Sequence, residues 1–346
     1  LQTGGLLESK INLALVGAGY WGKNLARIFH EIGVLKYICD PSEKTLKIEL
    51  EKYPEIKTTV SFSEIIASPD VNVVAIAAPA EKHYSLVKQA LLAKKHVFVE
   101  KPLAIKIEEG EELVELAKQQ EQVLFVGHIL HYHPAIQTIK NMIQNGKLGQ
   151  LQYIYSNRLN LGKIRREENI LWSFAPHDIS VILSLVGEEP SEVNSNGSNI
   201  LNPNIADTTL TKLKFPSGVQ AHIFVSWLHP FKEQKLVIVG EGGMAVFDDT
   251  APIDQKLVLY PHLITWENGF PSPEKKEGTP VDLTKQWKEP LKEEGRAFID
   301  SIHGKPALTD GGEGLKVLKV LQRAQISMDN NTTTNLSLIH ISEPTR

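Results

Sequence analysis

The chain has 346 residues, 42% of them hydrophobic and 23% charged, which excludes a largely disordered protein and leaves room for two domains. Lys and Arg total 37 against 41 Asp and Glu, and the formal charge of −4 gives no electrostatic footprint for nucleic acid. One cysteine rules out an internal disulfide and a Cys-based metal site, and the longest apolar runs, about ten residues, are too short to cross a bilayer. With no charged-then-apolar leader at its start, the chain reads as a soluble, cytoplasmic protein with no nucleic-acid or membrane partner.

From residue 8 to residue 126 strand and helix alternate. Ile11–Val16, Val34–Cys39, Val71–Ala78, His96–Val99 and Val123–Val126 read as buried strands. Between them, Trp21, Leu25, Ile28 and Ile32 form one apolar stripe at helical spacing. Tyr84, Val87 and Leu91 form a second, and Leu113, Leu116 and Ala117 a third. Strands separated by amphipathic helices predict an α/β domain with a parallel sheet covered on both faces. Residues 127–330 read as a second, α+β domain for substrate and oligomer contacts. Leu213 and Phe215, then Val219, Ala221, Ile223, Val225 and Trp227, alternate with other side chains around the turn Pro216-Ser217-Gly218, a hairpin signature. Further runs at 235–239, 244–247 and 256–260 extend a large, open antiparallel sheet. One apolar helix near Ala175–Val186 covers one face, and a second copy of the chain is the expected cover for the other, hence a homo-oligomer, dimer or tetramer. Residues 262–287 read as a loop, and helices return at Leu291–Ile302 and Gly314–Met328. Residues 331–346 form a tail. From Leu336 onward (LSLIHISEPTR) it resembles translated adapter sequence and is assigned no function.

Gly17-Ala18-Gly19-Tyr20-Trp21-Gly22 is a G-x-G-x-x-G turn that directly follows a strand and opens a helix. In that context Gly17 permits the turn, Gly19 lets backbone approach a pyrophosphate and Gly22 lets helix pack on strand. Asp40 ends the second strand, about 20 residues further on, where a carboxylate accepts ribose hydroxyls and repels a 2′-phosphate. The expected cofactor is NAD. Glu100-Lys101-Pro102 closes the fifth strand, at the carboxyl edge where such sheets bind ligands. By chemistry alone Lys101 is either a solvated cation or a partly desolvated donor to a substrate hydroxyl.

The glycine turn at 17–22, the segment from Ala78-Pro79 to His83, the Glu-Lys-Pro at 100–102 and His177 together resemble the glucose–fructose oxidoreductase / inositol dehydrogenase / MocA family. The resemblance covers roughly residues 10–330. It implies an N-terminal Rossmann domain, a C-terminal α/β domain with a large open antiparallel sheet, and NAD(P)-linked oxidation or reduction of sugar or cyclitol hydroxyls. It also implies that Tyr20, Trp21, Ala78, Pro79, His83, Glu100 and Lys101 border the cofactor, that Lys101 and His177 are catalytic, and that the Lys101–Pro102 bond is cis.

His177 follows Pro176, and because proline favours a helix's first turn, a helix is expected to begin there. The helix dipole then keeps His177 neutral and able to act as a base. The family usually has an Asp four residues before this His, whereas Ser173 stands here, and Asp178 is the nearest substitute. Three histidines, His128, His131 and His133, lie close together, but their spacing and the lack of an acid cluster speak against a metal. Tyr132, Asn157, Arg158, Asn160, Trp172 and Ser173, with His131, offer groups suited to sugar hydroxyls. Arg165-Arg166 is either a diphosphate clamp or a solvated basic loop. The stretch from Ser156 to Ser180 is similar to family members acting on nucleotide-activated amino sugars, the UDP-N-acetylglucosamine 3-dehydrogenases, and implies oxidation of a sugar 3-hydroxyl to a ketone. The rivals are a dehydrogenase of a free sugar or cyclitol and a non-catalytic NAD-binding sensor.

Overall fold

A computed structural model describes residues 10–330 and the backbone of 333–335. The adapter-like segment from 336 lies outside the described residues. The described residues form two compact units, 10–129 with 289–318, and 130–288 with 319–330. The sequence reading assigned 289–318 to the second domain, whereas this return segment packs with the first unit.

Six strands build the first unit: β1 (Leu13–Val16), β2 (Leu35–Cys39), β3 (Lys57–Thr59), β4 (Val73–Ile76), β5 (His96–Glu100) and β6 (Leu124–Gly127). All neighbours pair in parallel, in the order β3-β2-β1-β4-β5-β6. This is the doubly wound Rossmann order, with its reversal between β1 and β4. The helices are α1 (Gly22–Ile32), α2 (Glu43–Lys52), α3 (Phe62–Ala67), α4 (Ala80–Leu92) and α5 (Ile107–Gln119). Every residue of β1, β4 and β6 is buried, as expected of strands covered on both faces. The short β3, with no apolar run of its own, is an edge strand that the hydrophobic pattern does not announce.

The second unit comprises α6 (Pro134–Gln144), β7 (Leu151–Leu159), α7 (Ile170–Val186), β8 (Glu192–Ser198), β9 (Thr208–Lys214), β10 (Gln220–Ser226), β11 (Glu233–Gly240), β12 (Gly243–Asp248), β13 (Leu257–Tyr260), β14 (Leu263–Glu267), β15 (Phe270–Glu274) and β16 (Thr279–Pro280). After it come α8 (Pro290–Ile302), α9 (Gly311–Asn330) and β17 (Thr333–Asn335). A nine-stranded sheet runs β16-β13-β12-β11-β7-β10-β9-β8-β17. The β9–β10 hairpin turns at Gly218, whose φ of +89° suits glycine alone. One pair departs from the antiparallel expectation: β7 and β10 are parallel. Between them the chain passes through α7, β8 and β9, a crossover long enough to allow it. Residues 263–274, read as loop, form the β14–β15 hairpin.

α7 packs on β7, β9 and β10. The other face carries a row of half-buried side chains in cross-strand register, Tyr155, Val237, Val246 and Val258. In the first unit α8 packs against α1, and Phe298 joins Phe29, Phe98 and Phe125 in an aromatic cluster with Phe98–Phe125 and Phe125–Phe298 centroids at 5.5 and 5.4 Å. All four rings are fully buried. No helix among the described residues is long and apolar enough to cross a membrane.

Candidate functional site

The glycine turn connects β1 to α1. Gly17 has φ +88°, and a Cβ there would lie 2.8 Å from the Ala77 carbonyl. A Cβ on Gly22 would lie 1.9 Å from the Gly17 carbonyl, so that position too excludes a side chain. Around Gly19 a Cβ would meet nothing within 4 Å, so the backbone is open for close approach. A turn forced by two glycines and open at the third fits a dinucleotide pyrophosphate at a helix N-terminus. Tyr20 and Trp21 are exposed beside it.

Asp40 is buried at the end of β2. Its Oδ2 accepts from the Ala18 N–H at 2.8 Å and its Oδ1 from the Ser42 N–H at 2.9 Å. Each oxygen keeps a second acceptor position, so bracing the turn and binding a ribose are compatible. Glu100, the last residue of β5, accepts a hydrogen bond from the Trp21 indole N–H. This contact joins the glycine turn to the strand end that carries Lys101. Burial pushes the Glu100 carboxyl up to about 7, against the opposing pull of Trp21, Lys101 and His128. The Lys101–Pro102 peptide is cis, as the resemblance implies.

Ala78 and Pro79 lead into α4, while His83 is 1% exposed and faces inward. Its Nδ1 lies 2.6 Å from the Pro102 carbonyl and its Nε2 2.9 Å from that of Ala78. His83 thus clips two loops together, and its sequence assignment as a cofactor contact becomes, in this geometry, a brace behind Lys101-Pro102. Burial lowers its pKa.

In the second unit, α7 begins at Ile170, capped by Asn169 accepting from the Trp172 N–H at 3.3 Å. Pro176 therefore lies inside the helix, contrary to the expected start there. A proline in a helix interior usually costs about 3 kcal/mol. Here Ile170, Leu171, Ala175, Ile179 and Ile182 are buried along the same helix, and that burial outweighs the local penalty. His177 consequently sits in mid-helix, half-buried, and the dipole argument for its neutrality does not apply. Ser173, in place of the usual Asp, is buried one turn earlier.

Asp178 does not take over the missing carboxylate. Its Oδ2 accepts from Arg158 Nε at 2.7 Å, and its Oδ1 accepts from Arg158 at 3.1 Å and from the Ser156 hydroxyl at 2.6 Å. This buried fork pins α7 to β7 and occupies Arg158, which the sequence offered to the substrate. Burial opposes the guanidinium's charge, but Asp178 more than restores it. Asn157 donates to Glu233 at 2.7 Å. Trp172 donates its indole N–H to Gln325 at 3.0 Å. Asn160 follows β7, its N–H bonded to the Ser226 carbonyl. Arg165 pairs with Glu168 at 3.1 Å on an exposed loop.

The three clustered histidines separate. His128 Nδ1 lies 2.6 Å from Glu313, His131 Nε2 lies 2.6 Å from the Ser180 hydroxyl, and His133 Nδ1 accepts from the Ala135 N–H to cap α6. Tyr132 is buried beside them in the chain. Burial lowers His133 to about 4. No group of three potential ligands gathers among the described residues.

Sequence reasoning missed Glu294 and Glu313, both packed in the first unit. Glu294 is 1% exposed on α8, with Glu100 and Glu313 as its charged neighbours. Burial first, then those two acids, raises its pKa well above the ordinary carboxyl value. The signal available was an acid on an apolar helical face, between Leu291 and Phe298.

Residues 11–128 match the model of an oxidoreductase family with an NAD-binding Rossmann fold, and residues 136–246 match the GFO/IDH/MocA C-terminal domain. Myo-inositol 2-dehydrogenase of Thermotoga maritima is 25% identical, over 94% of this chain and 98% of that protein. UDP-N-acetylglucosamine 3-dehydrogenase of Acidithiobacillus ferrooxidans is also 25% identical, over 91% of this chain and 96% of that protein. The WlbA dehydrogenase of Bordetella pertussis, solved with NADH and UDP-GlcNAcA, superposes with a TM-score of 0.77 at 21% identity, covering 95% of this chain and 99% of that one.

Proposed function

We propose, from the premise that this chain belongs to the GFO/IDH/MocA oxidoreductase family and binds NAD, that it oxidises the 3-hydroxyl of a UDP-linked N-acetylamino sugar to a 3-keto sugar. Gly17, Gly19 and Gly22 hold the pyrophosphate, and Asp40 takes the adenosine ribose. NAD, when bound, supplies the hydride acceptor. His177 takes the proton of the substrate hydroxyl. Lys101 donates to the developing alkoxide and steadies its charge. The basic loop with Arg165 and Arg166 meets the diphosphate, and Asn160 and Trp172 contact the sugar.

The observation that carries this reading is the bond from Trp21 to Glu100, which couples the glycine turn to the strand end bearing Lys101. The similarity to a UDP-N-acetylglucosamine 3-dehydrogenase supports the substrate class, and the equal identity to an inositol dehydrogenase keeps a cyclitol as the second reading. The test offers UDP-N-acetylglucosamine, myo-inositol and glucose with NAD and follows NADH absorbance. Turnover of the nucleotide sugar alone is expected. Turnover of inositol or glucose alone moves the assignment to the second reading. Tight NAD binding with no turnover of any sugar or cyclitol leaves a sensor.

Lys101→Met and His177→Ala are each expected to lower kcat about 10²–10⁴-fold, the usual contribution of a positioned proton-transfer group. A variant with undiminished kcat removes that residue from the chemistry.

A further inference from the structure

Glu294 is a buried acid with no place in the chemistry proposed above. It comes from α8, far along the chain from β5, yet its carboxyl lies within electrostatic reach of Glu100 and Glu313. Its Oε1 is buried with no hydrogen-bond partner in the structure. Beside it Glu100 is held by Trp21 and packs over Gly127, where a Cβ would come 3.1 Å from the Glu100 carboxylate. Lys101 follows Glu100 in the chain. His128, just past β6, lies 2.6 Å from Glu313 on α9. Thus Lys101 at its own strand end, His128 after β6 and Glu294 on α8 act on Glu100, while Glu313 on α9 acts on Glu294 and pairs with His128.

We propose that Glu294 is a positioning residue for Lys101, supporting from α8 the carboxylate of Glu100 that ties the glycine turn to the end of β5. This rests on the role given to Lys101 above. Neighbouring buried carboxyls cannot all ionise, and the most deeply desolvated one keeps its proton. Glu294 is that one. A protonated carboxyl carries an O–H donor that an ionised one lacks. With the proton on Glu294, Glu100 is free to be the ionised member and to accept from Trp21. Were Glu294 to ionise instead, Glu100 would be driven neutral and its hold on Trp21 weakened.

The test compares the wild type with Glu294→Gln and Glu294→Leu, each checked for fold by circular dichroism. Trp21 fluorescence, isolated by subtracting the Trp21→Phe spectrum, is titrated with pH to report Glu100. In Glu294→Leu the midpoint is expected to rise by about one pH unit, and kcat near neutrality to fall about tenfold with the pH–kcat limb displaced alike. KM for NAD moves less than kcat. Glu294→Gln, which keeps shape, neutrality and a donor, restores the midpoint and brings kcat to within about threefold of the wild type. A folded Glu294→Leu with unmoved midpoint and kcat overturns the proposal, as does a Glu294→Gln as impaired as Glu294→Leu. Infrared spectroscopy decides the matter even if Glu294→Leu does not fold. A protonated-carboxyl band is expected in the wild type above neutral pH and lost in Glu294→Gln, and its absence from the wild type refutes the proposal. Undiminished turnover by Lys101→Met refutes the lysine's role, whereas the Glu294 band and the midpoint shift between wild type and Glu294→Leu are read in chains that keep Lys101, so the two failures are distinguishable.

Discussion

Asp40 combines a structural and a selective task in one carboxylate. Removing it leaves the buried Ala18 N–H without its acceptor, a loss of about 1–3 kcal/mol. It also removes the charge that repels a 2′-phosphate. Asp40→Ala is therefore expected to lower the melting temperature and to reduce the preference for NAD over NADP by about tenfold or more, equivalent to ~1.4 kcal/mol. Steady-state kinetics with both cofactors check it, and unchanged selectivity would release Asp40 from the ribose. At this scale the sequence was most informative where backbone geometry dictates the residue. Gly17 and Gly22 are legible because no side chain fits there. Arg158 was not legible as a buried partner of Asp178, because an arginine on a strand looks the same whether it meets a ligand or a helix.

The end of β5 carries a pH signature. Glu100 has a folded pKa of about 7 against an ordinary value of 4.5, so the folded state binds its proton more tightly. Its contribution to stability is full below about 4.5 and is lost as pH rises through about 7. Unfolding free energy measured between those limits is expected to decline with pH, and Glu100→Gln to flatten that decline. Glu294, raised in the same direction by burial and its acidic neighbours, adds a decline of the same sign. α8 also contributes the Phe298 ring to the cluster under β5 and β6. Phe298→Ala is expected to cost about 3–5 kcal/mol in denaturant melts, and a loss below ~1 kcal/mol would mean that the cavity collapses. α8 itself was legible as a helix from its periodicity. Its allegiance to the first unit was not, because a stripe of apolar residues states that a face is buried and not against what. The start of α7 was misread for a related reason: a local proline rule yielded to burial of the whole helix.

At the scale of the molecule, the nine-stranded sheet has one face under α7 and another on which Tyr155, Val237, Val246 and Val258 line up across four strands. A second copy burying that row is expected. Light scattering after size exclusion should give a mass of at least two chains, and Val237→Asp should shift it toward one. A wild type that elutes only as a single chain rejects the homo-oligomer. The parallel sheet of the first unit followed from alternating strand and helix patterns and its Rossmann fold from the family resemblance, whereas the parallel β7–β10 pair joins strands too distant in the chain for any local pattern to record.

The return of α8 to the first unit has a consequence for biosynthesis. Phe98 and Phe125 leave the ribosome long before Phe298, so the nascent polypeptide is expected to present an uncovered aromatic surface until α8 has been made. A chain that stops before α8 lacks both its ring and its acid, and its uncovered Phe98 and Phe125 are expected to make it a target for chaperones and proteases.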